Sequence, residues 1–116
     1  MSLIKPFRSL RPATGRARDV SAPPYDVLSS AEAREHAAGK PWSFLHISKP
    51  EIDLDPKTDP YNRTVYAKAA ENLQRMIKAG VLMRDATPFY YVYRLTWRDR
   101  VQTGLAATAS IAGVPG

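Results

Sequence analysis

A two-residue repeat in the carboxyl-terminal part of the chain constrains the fold more than any other feature. Large apolar side chains take every second position over Phe89–Trp97, and after Arg98–Arg100 the same period continues over Val101–Ile111. Successive side chains of a β-strand point to opposite faces, so this period fits strands and cannot place one apolar face on a helix. The pattern therefore predicts a β-hairpin over Phe89–Ile111.

Both faces of this predicted hairpin carry apolar or small residues. Such a sheet is expected to be covered on both sides, and one long and one short helix are too few for that. The sequence also stops at "IAGVPG" without a polar cap. We therefore expect an exposed apolar patch or self-association through the hairpin, and interpret residues 1–116 as a single domain or the amino-terminal fragment of a longer protein.

A repeat of three and four residues predicts one long helix near Arg63–Ala79. The apolar stripe consists of Tyr66, Ala69, Ala70, Leu73, Met76 and Ile77. The polar side consists of Lys68, Glu71, Asn72, Gln74, Arg75 and Lys78. We expect Leu73 and Met76 to be buried, Gly80 to end the helix, and "VLMRD" to follow as a short extension or edge strand.

The other segments predict short strands around one short helix. Leu3–Phe7 and Trp42–Ser48 have the apolar composition of strands. Ser29 and Glu32 have the S-x-x-E spacing of a capping box, which predicts a helix that begins there and ends at Gly39. The fold class is therefore α/β (α+β), with short strands, one short and one long helix, and a carboxyl-terminal β-hairpin.

The segment Lys49–Asn62 is predicted to be a long loop, because it holds three prolines and four acidic residues but few apolar ones. Loops of this length contact ligands or partners more often than short ones do. Asp53, Asp55 and Asp59 lack the glycine of a calcium-binding loop, so we reject a calcium site.

Composition predicts a soluble, cytoplasmic protein. Of the 116 residues, 44% are hydrophobic, which suits one globular domain, and there is no cysteine, which fits a reducing compartment. No stretch approaches the roughly 20 apolar residues needed to span a bilayer. We expect no membrane association.

The net charge of +6 is concentrated early in the sequence. The basic residues that precede the first acid, Asp19, are Lys5, Arg8, Arg11, Arg16 and Arg18. A basic arm of this kind attracts nucleic acid or nucleotide phosphates, or it is simply a solvated surface. Aromatic residues are not interleaved with these arginines, so nucleic acid is the less favoured partner.

The stretch Pro23–Asp26 is the strongest candidate site. Two proline rings fix the backbone before Tyr25 and Asp26, just ahead of the helix that Ser29 opens. In one interpretation Tyr25 and Asp26 line a ligand pocket, while Ser29, Ser30 and the helix amides contact an anion. In the other, the stretch is a proline corner in which Asp26 bonds its own turn amides.

His46 also has two interpretations. It lies between Leu45 and Ile47 in a predicted strand, where a hydrogen-bonded core histidine is commoner than a ligand-binding one. The only other histidine, His36, shows no paired-ligand spacing with it, so we predict no metal site in this chain.

Five collinear segments cover nearly the whole chain: "IKPFRSLRP", "APPYDVLSSAEA", "PWSFLHISKPEIDL", "DPYNRTVYAKAAENLQRMIKAGVL" and "YVYRLTWRDRVQTGLAA". Together they resemble the start of the bacterial and archaeal family called domain of unknown function 1015. The resemblance implies that family members are much longer and that this chain is their amino-terminal portion.

The resemblance further implies an Asp-Gly-His-His-Arg stretch, which lies further along in the family and is lacking here. That stretch is similar to the signature box of the ParB/sulfiredoxin-like nucleotide-binding fold, in which free-serine kinases use a similar box for phosphate and metal. The opening "IKPF..LRP" is similar to the first strand and the following Arg-Pro of ParB-like domains. Arg11 matches that arginine, so it is interpreted either as a residue that binds a phosphate through its planar fork or as one of several surface arginines.

The leading functional hypothesis is therefore the amino-terminal portion of a nucleotide-binding, small-molecule (serine-type) kinase, inactive in isolation. In full length it would use ATP or ADP with magnesium, with Asp26 catalytic and Arg11, Tyr25, Ser29, Ser30 and His46 ligand-binding. The alternatives are a DNA-associated ParB-like regulator and a non-catalytic structural or interaction domain.

Overall fold

The computed structural model describes residues 3–111, which form four α-helices and six short strands. The helices are α1 (Ala17–Val20), α2 (Ser30–Ala37), α3 (Leu45–Ser48) and α4 (Arg63–Lys78), with 3₁₀ turns at Tyr25–Val27 and Pro50–Asp53. The strands are β1 (Ile4–Lys5), β2 (Leu10–Pro12), β3 (Leu82–Arg84), β4 (Tyr91–Trp97), β5 (Arg100–Ala106) and β6 (Thr108–Ala109). They pair as β1 with β6, β2 with β3 and β4 with β5, which confirms the predicted mixed α/β fold class.

The chain divides into two compact units. The helical unit consists of residues 12–83, and the strand unit consists of residues up to 11 together with those from 84 onward.

The core of the helical unit is built from small and medium apolar side chains. Ala33 and Ala37 of α2 pack with Leu45 of α3, and Ala22, Leu28 and Ile52 surround them. On α4 the buried residues are Val65, Asn72 and Met76. The predicted long helix is confirmed: Asn62 caps its start by accepting a hydrogen bond from the Thr64 amide, and Gly80 follows its end with a positive φ of 76°.

The strand predicted over Trp42–Ser48 is wrong, because Leu45–Ser48 is helical. A short apolar run fits a buried helical turn as well as a strand, and here local bonds decide between them. The amides of His46 and Ile47 bond to the carbonyls of Ser43 and Phe44 at 3.1 and 2.9 Å. The backbone is thus satisfied locally and needs no neighbouring strand.

The buried face of α4 differs from the predicted apolar stripe. Tyr66, expected on that stripe, is 61% exposed, whereas Asn72, expected on the polar side, is 3% exposed. Val65, Ala69, Asn72 and Met76 follow steps of four, three and four, so they share one side of the helix. Asn72 is stable there because its side-chain amide donates hydrogen bonds to the His46 carbonyl and to Asp53 Oδ2.

The predicted β-hairpin is confirmed. β4 and β5 pair antiparallel from Trp97↔Arg100 to Tyr91↔Ala106, and Arg98 and Asp99 form the turn. Gly104 lies beneath the ring of Tyr93, where a Cβ would overlap that ring. The pairing ends at Ala106, and Ile4 and Lys5 pair with the following strand, β6.

The hairpin exposes a large apolar surface, as the sequence predicts. The exposed residues between 89 and 105 are Phe89, Tyr90, Val92, Tyr93, Leu95, Trp97, Val101 and Leu105. Exposed fractions reach 74% at Val92 and 60% at Leu95. The origin of the chain as a fragment stays a prediction.

Candidate functional site

A cleft of about 460 Å³ lies in the helical unit beside the start of α2. We call it the α2 cleft. Its lining residues are Tyr25, Ser30, Ile47, Ser48, Lys49, Pro50, Glu51, Pro60, Tyr61, Val65, Tyr66 and Ala69. They come from the Tyr25–Val27 turn, α2, α3, the long loop and α4, so the fold brings five separate segments to one concavity.

The proline corner places Tyr25 at the cleft. Pro24 precedes the 3₁₀ turn with φ −57° and ψ 141°, and the Val27 amide donates to the Pro24 carbonyl at 3.3 Å. Tyr25 is 60% exposed. Asp26 is exposed but does not line the cleft, and its carboxylate has no hydrogen-bond partner among residues 3–111. The corner therefore positions Tyr25, while Asp26 is left to solvent.

Ser29 and Ser30 have different roles at the start of α2. The predicted capping box is confirmed: the Glu32 amide donates to Ser29 Oγ at 3.1 Å, and the Ser29 amide donates to Glu32 Oε1 at 3.0 Å. The bond from the Ser29 amide also lowers the pKa of Glu32. Ser29 Oγ thus serves the helix cap, whereas the Ser30 hydroxyl reaches into the cleft.

Glu51 is the polar centre of the α2 cleft. The Ser30 hydroxyl donates to Glu51 Oε2 at 3.2 Å, and the Lys49 ammonium lies 3.7 Å from the same oxygen. Arg34 donates to the Glu51 backbone carbonyl at 3.1 Å. Both side chains are mostly buried, at 15% and 13% exposure, so the contact between Lys49 and Glu51 lies in the wall of the cleft.

Three tyrosines give the cleft its aromatic surface. Tyr25, Tyr61 and Tyr66 are 60%, 82% and 61% exposed. A tyrosine ring offers a flat apolar face together with a hydroxyl that donates or accepts a hydrogen bond. Sequence reasoning missed Lys49, Glu51, Tyr61 and Tyr66. For the first three the available signal was the length and composition of the Lys49–Asn62 loop.

His46 lies on α3, within a network of hydrogen bonds. Its Nδ1 is 2.7 Å from Asp53 Oδ2, and its Nε2 is 3.0 Å from the Lys40 carbonyl. The Asn72 amide donates to the His46 carbonyl at 2.7 Å and to Asp53 Oδ2 at 3.0 Å. Both ring nitrogens of His46 therefore contact protein oxygens, and neither faces the α2 cleft.

Arg11 lies in the strand unit, where it forms an ion pair with Asp85 at 2.8 Å. The Tyr91 hydroxyl donates to the other Asp85 oxygen and accepts a hydrogen bond from the Ser9 amide at 2.9 Å. The bonds from Arg11 and Tyr91 lower the pKa of Asp85, and the bond to Asp85 raises the pKa of Arg11. Burial, followed by the bond to Asp85, raises the pKa of Tyr91.

This cluster predicts a loss of stability in acid. The pKa of Asp85 in the folded state lies below its ordinary value of 3.8, so ionised Asp85 stabilises the fold above that value and stops doing so as the pH falls through the folded-state pKa. Asp85→Asn should therefore lower the free energy of urea unfolding at neutral pH, and the difference from wild type should shrink in strong acid. Asp26→Asn is the control, because the Asp26 carboxylate has no hydrogen-bond partner within residues 3–111. A difference for Asp85→Asn that does not depend on pH would contradict this assignment.

Two further features bear on function. Among residues 3–111, no three histidine or acidic side chains are grouped so that they could hold a metal ion. None of the helices in the same range is long and apolar enough to cross a membrane.

The comparison with protein families agrees with the resemblance seen in the five segments. The family described as "Protein of unknown function (DUF1015)" matches residues 4–114, which is nearly the entire sequence. The chain belongs to this family. No curated protein and no solved structure matches it. The DUF1015 assignment does not extend to the ParB/sulfiredoxin-like fold, which is not confirmed and stays a prediction.

The structure groups only part of the predicted site. Tyr25 and Ser30 line the α2 cleft, and Ser29 caps the adjoining helix. Asp26 and His46 lie outside the cleft lining, and Arg11 belongs to the strand unit. In this member of the DUF1015 family, the α2 cleft is therefore the candidate site.

Proposed function

We propose that this chain binds a small phosphorylated ligand of the nucleotide type in the α2 cleft. The observation that carries the proposal is the meeting of three exposed tyrosines, Lys49 and the start of α2 around one cavity of about 460 Å³. Ligand pockets for small molecules typically measure about 300–1,000 Å³ and combine apolar walls with a few polar groups. The cavity has both properties.

The chemistry of the lining suits the two ends of a nucleotide. The tyrosine faces offer stacking surface to a base, and such stacking tolerates any base because every base has a π-face. Lys49 and the first amides of α2 favour an anionic phosphate, because the amino end of a helix carries a partial positive charge. The Ser30 hydroxyl already donates to Glu51 Oε2, so it can offer the ligand only a hydrogen-bond acceptor.

Glu51 restricts how the ligand lies. A carboxylate repels phosphate unless a cation lies between them. We therefore assign Glu51 to the hydroxyl groups of a sugar, or to a magnesium ion that accompanies ATP or ADP. Lys49, which already contacts Glu51, is the side chain that would turn toward a phosphate.

Catalysis is a finer proposal that rests on the family resemblance alone. It extends nucleotide binding to a small-molecule (serine-type) kinase in the full-length protein, with Asp26 as the catalytic residue. Asp26 is adjacent to Tyr25 in sequence, and its carboxylate is unpaired within the described part of the chain, which suits a substrate hydroxyl or amine. The alternatives are a DNA-associated regulator and a non-catalytic interaction domain, and neither predicts that ATP or ADP stabilises the chain.

Thermal unfolding of the chain with ATP, ADP and magnesium tests the binding proposal. A ligand at 100 times its Kd stabilises the folded state by about 2.7 kcal/mol, so the Tm should rise measurably. Tyr61→Ala and Lys49→Met should each reduce this rise, and both residues are at the cleft. Tyr90→Ala, an exposed tyrosine of the strand unit, is the matched control and should leave the rise unchanged. No rise with either nucleotide, or an equal rise in all variants, would contradict the proposal.

A further inference from the structure

The outer edges of the hairpin have no strand partner within residues 3–111, where β4 and β5 pair only with each other. An unpaired edge presents a row of N–H and C=O groups that another strand can bind. Proteins protect such edges with charges, prolines or bulges. Neither strand contains a proline, and the register between them runs without a bulge.

The two edges differ in where they carry charge. β4 has Arg94 at the centre of its seven residues, whereas β5 has one charged residue, Arg100, at its first position. In antiparallel self-pairing, the central residues of the two copies meet. β4 would therefore place one Arg94 opposite another, which is unfavourable. Self-pairing of β5 would instead place the Arg100 side chains of the two copies at opposite ends of the paired strands.

We propose that β5 pairs antiparallel with β5 of a second copy of this chain, centred on Thr103. The result is a four-stranded sheet across a two-fold axis. Hydrogen-bonded and non-bonded pairs alternate along an antiparallel ladder, beginning with the bonded pair Trp97↔Arg100 that closes the two-residue turn. Val101, Thr103 and Leu105 consequently direct their N–H and C=O groups outward, where the second copy would bind them.

The side chains fit this register. Thr103 meets Thr103 of the second copy, a favourable cross-strand pair. Val101 and Leu105, which are 60% and 58% exposed, meet Leu105 and Val101 of the second copy. The apolar row that begins with Val92 opposite Leu105 thus continues across the interface. The two Arg94 side chains are three strand spacings apart, about 14 Å, which exceeds the screening length at physiological salt.

The oligomeric state of the full chain tests this proposal. Sedimentation equilibrium should give a dimer whose population rises with protein concentration. Added salt should strengthen the dimer, because each copy carries a net charge of +6. Thr103→Lys places two like charges at the centre of the interface and should yield a monomer. Thr96→Lys is the matched control, because Thr96 lies on the same face of the neighbouring strand, and this variant should remain a dimer.

Hydrogen exchange of the wild-type chain gives a test that does not depend on any variant folding. The amides of Val101, Thr103 and Leu105 should exchange more slowly as the protein concentration rises. A wild-type chain that stays monomeric over the whole range would overturn the proposal, as would a Thr103→Lys dimer. Loss of the dimer in both lysine variants would also overturn the proposal. The dimer would then depend on the sheet face that carries Thr96 and Thr103, and not on the β5 edge.

Discussion

Met76→Ala should lower the free energy of unfolding by about 3 kcal/mol, because truncating a fully buried methionine leaves a cavity in the core. Met76 is 0% exposed on the inner face of α4, which places it in the core of the helical unit. For a domain of this size such a loss is a large fraction of the total stability. Urea unfolding followed by circular dichroism measures it.

Tyr66→Ala is the informative control for this substitution. Tyr66 lies on the same helix as Met76 and has a larger side chain, yet it is 61% exposed. Its replacement by alanine should therefore change the free energy of unfolding by less than about 1 kcal/mol. The sequence pattern places Tyr66 and Met76 on one buried stripe and so predicts two large losses. Similar losses in the two variants would contradict the helix orientation described above.

Asn72→Asp should also cost about 3 kcal/mol at neutral pH, because it removes a hydrogen-bond donor and places a carboxylate beside Asp53 at a position that is only 3% exposed. The native amide donates to the His46 carbonyl and to Asp53 Oδ2 at 2.7 and 3.0 Å. A carboxylate of the same shape cannot donate to either oxygen. The two negative charges would also repel each other across about 3 Å.

The pH dependence separates this mechanism from a simple packing defect. Protonating one of the two carboxylates removes the repulsion and restores a donor, so the cost of Asn72→Asp should shrink as the pH falls. Asn72→Leu removes the donor but adds no charge, so its cost should depend less on pH. Gln74→Ala, on the exposed side of α4, should be nearly neutral. An Asn72→Asp loss that grows in acid would refute the assigned network.

Features that depend on local patterns could be predicted from the sequence. The capping box of Ser29 and Glu32 needs only two side chains at fixed spacing, and the structure contains both of its bonds. The hairpin and the long helix follow from periods of two residues and of three to four residues. These signals belong to the chain itself, so no tertiary contact is needed to find them.

Features that depend on tertiary contacts could not be predicted in this way. The composition of the run Trp42–Ser48 fits a strand or a helix, and it does not reveal that Leu45 packs against Ala33 and Ala37 of α2. The sequence pattern places Asn72 on the exposed side of the helix. Only the structure shows that Asp53 and the His46 carbonyl accept hydrogen bonds from it. Polar residues are buried where partners exist, and sequence spacing does not reveal those partners.

The candidate site was predictable in part for the same reason. The proline corner and the capping motif pointed to Tyr25 and Ser30, which do line the α2 cleft. Lys49, Glu51 and Tyr61 come from the loop Lys49–Asn62. Its length and composition indicate a segment that contacts a ligand or partner, but they do not show which of its residues line the cleft. Tyr66 was assigned to the apolar stripe of the helix, so its place in the cleft became visible only in the structure.

Amide chemical-shift mapping of the ¹⁵N-labelled chain during titration with ADP and magnesium tests the central claim most directly. Nucleotide binding in the α2 cleft predicts saturable shifts at Tyr25, Ser30, Lys49, Glu51 and Tyr61, with the hairpin amides unaffected. Shifts confined to the hairpin or to the neighbourhood of Arg11, or no saturable shifts at all, would contradict the α2 cleft as the ligand site.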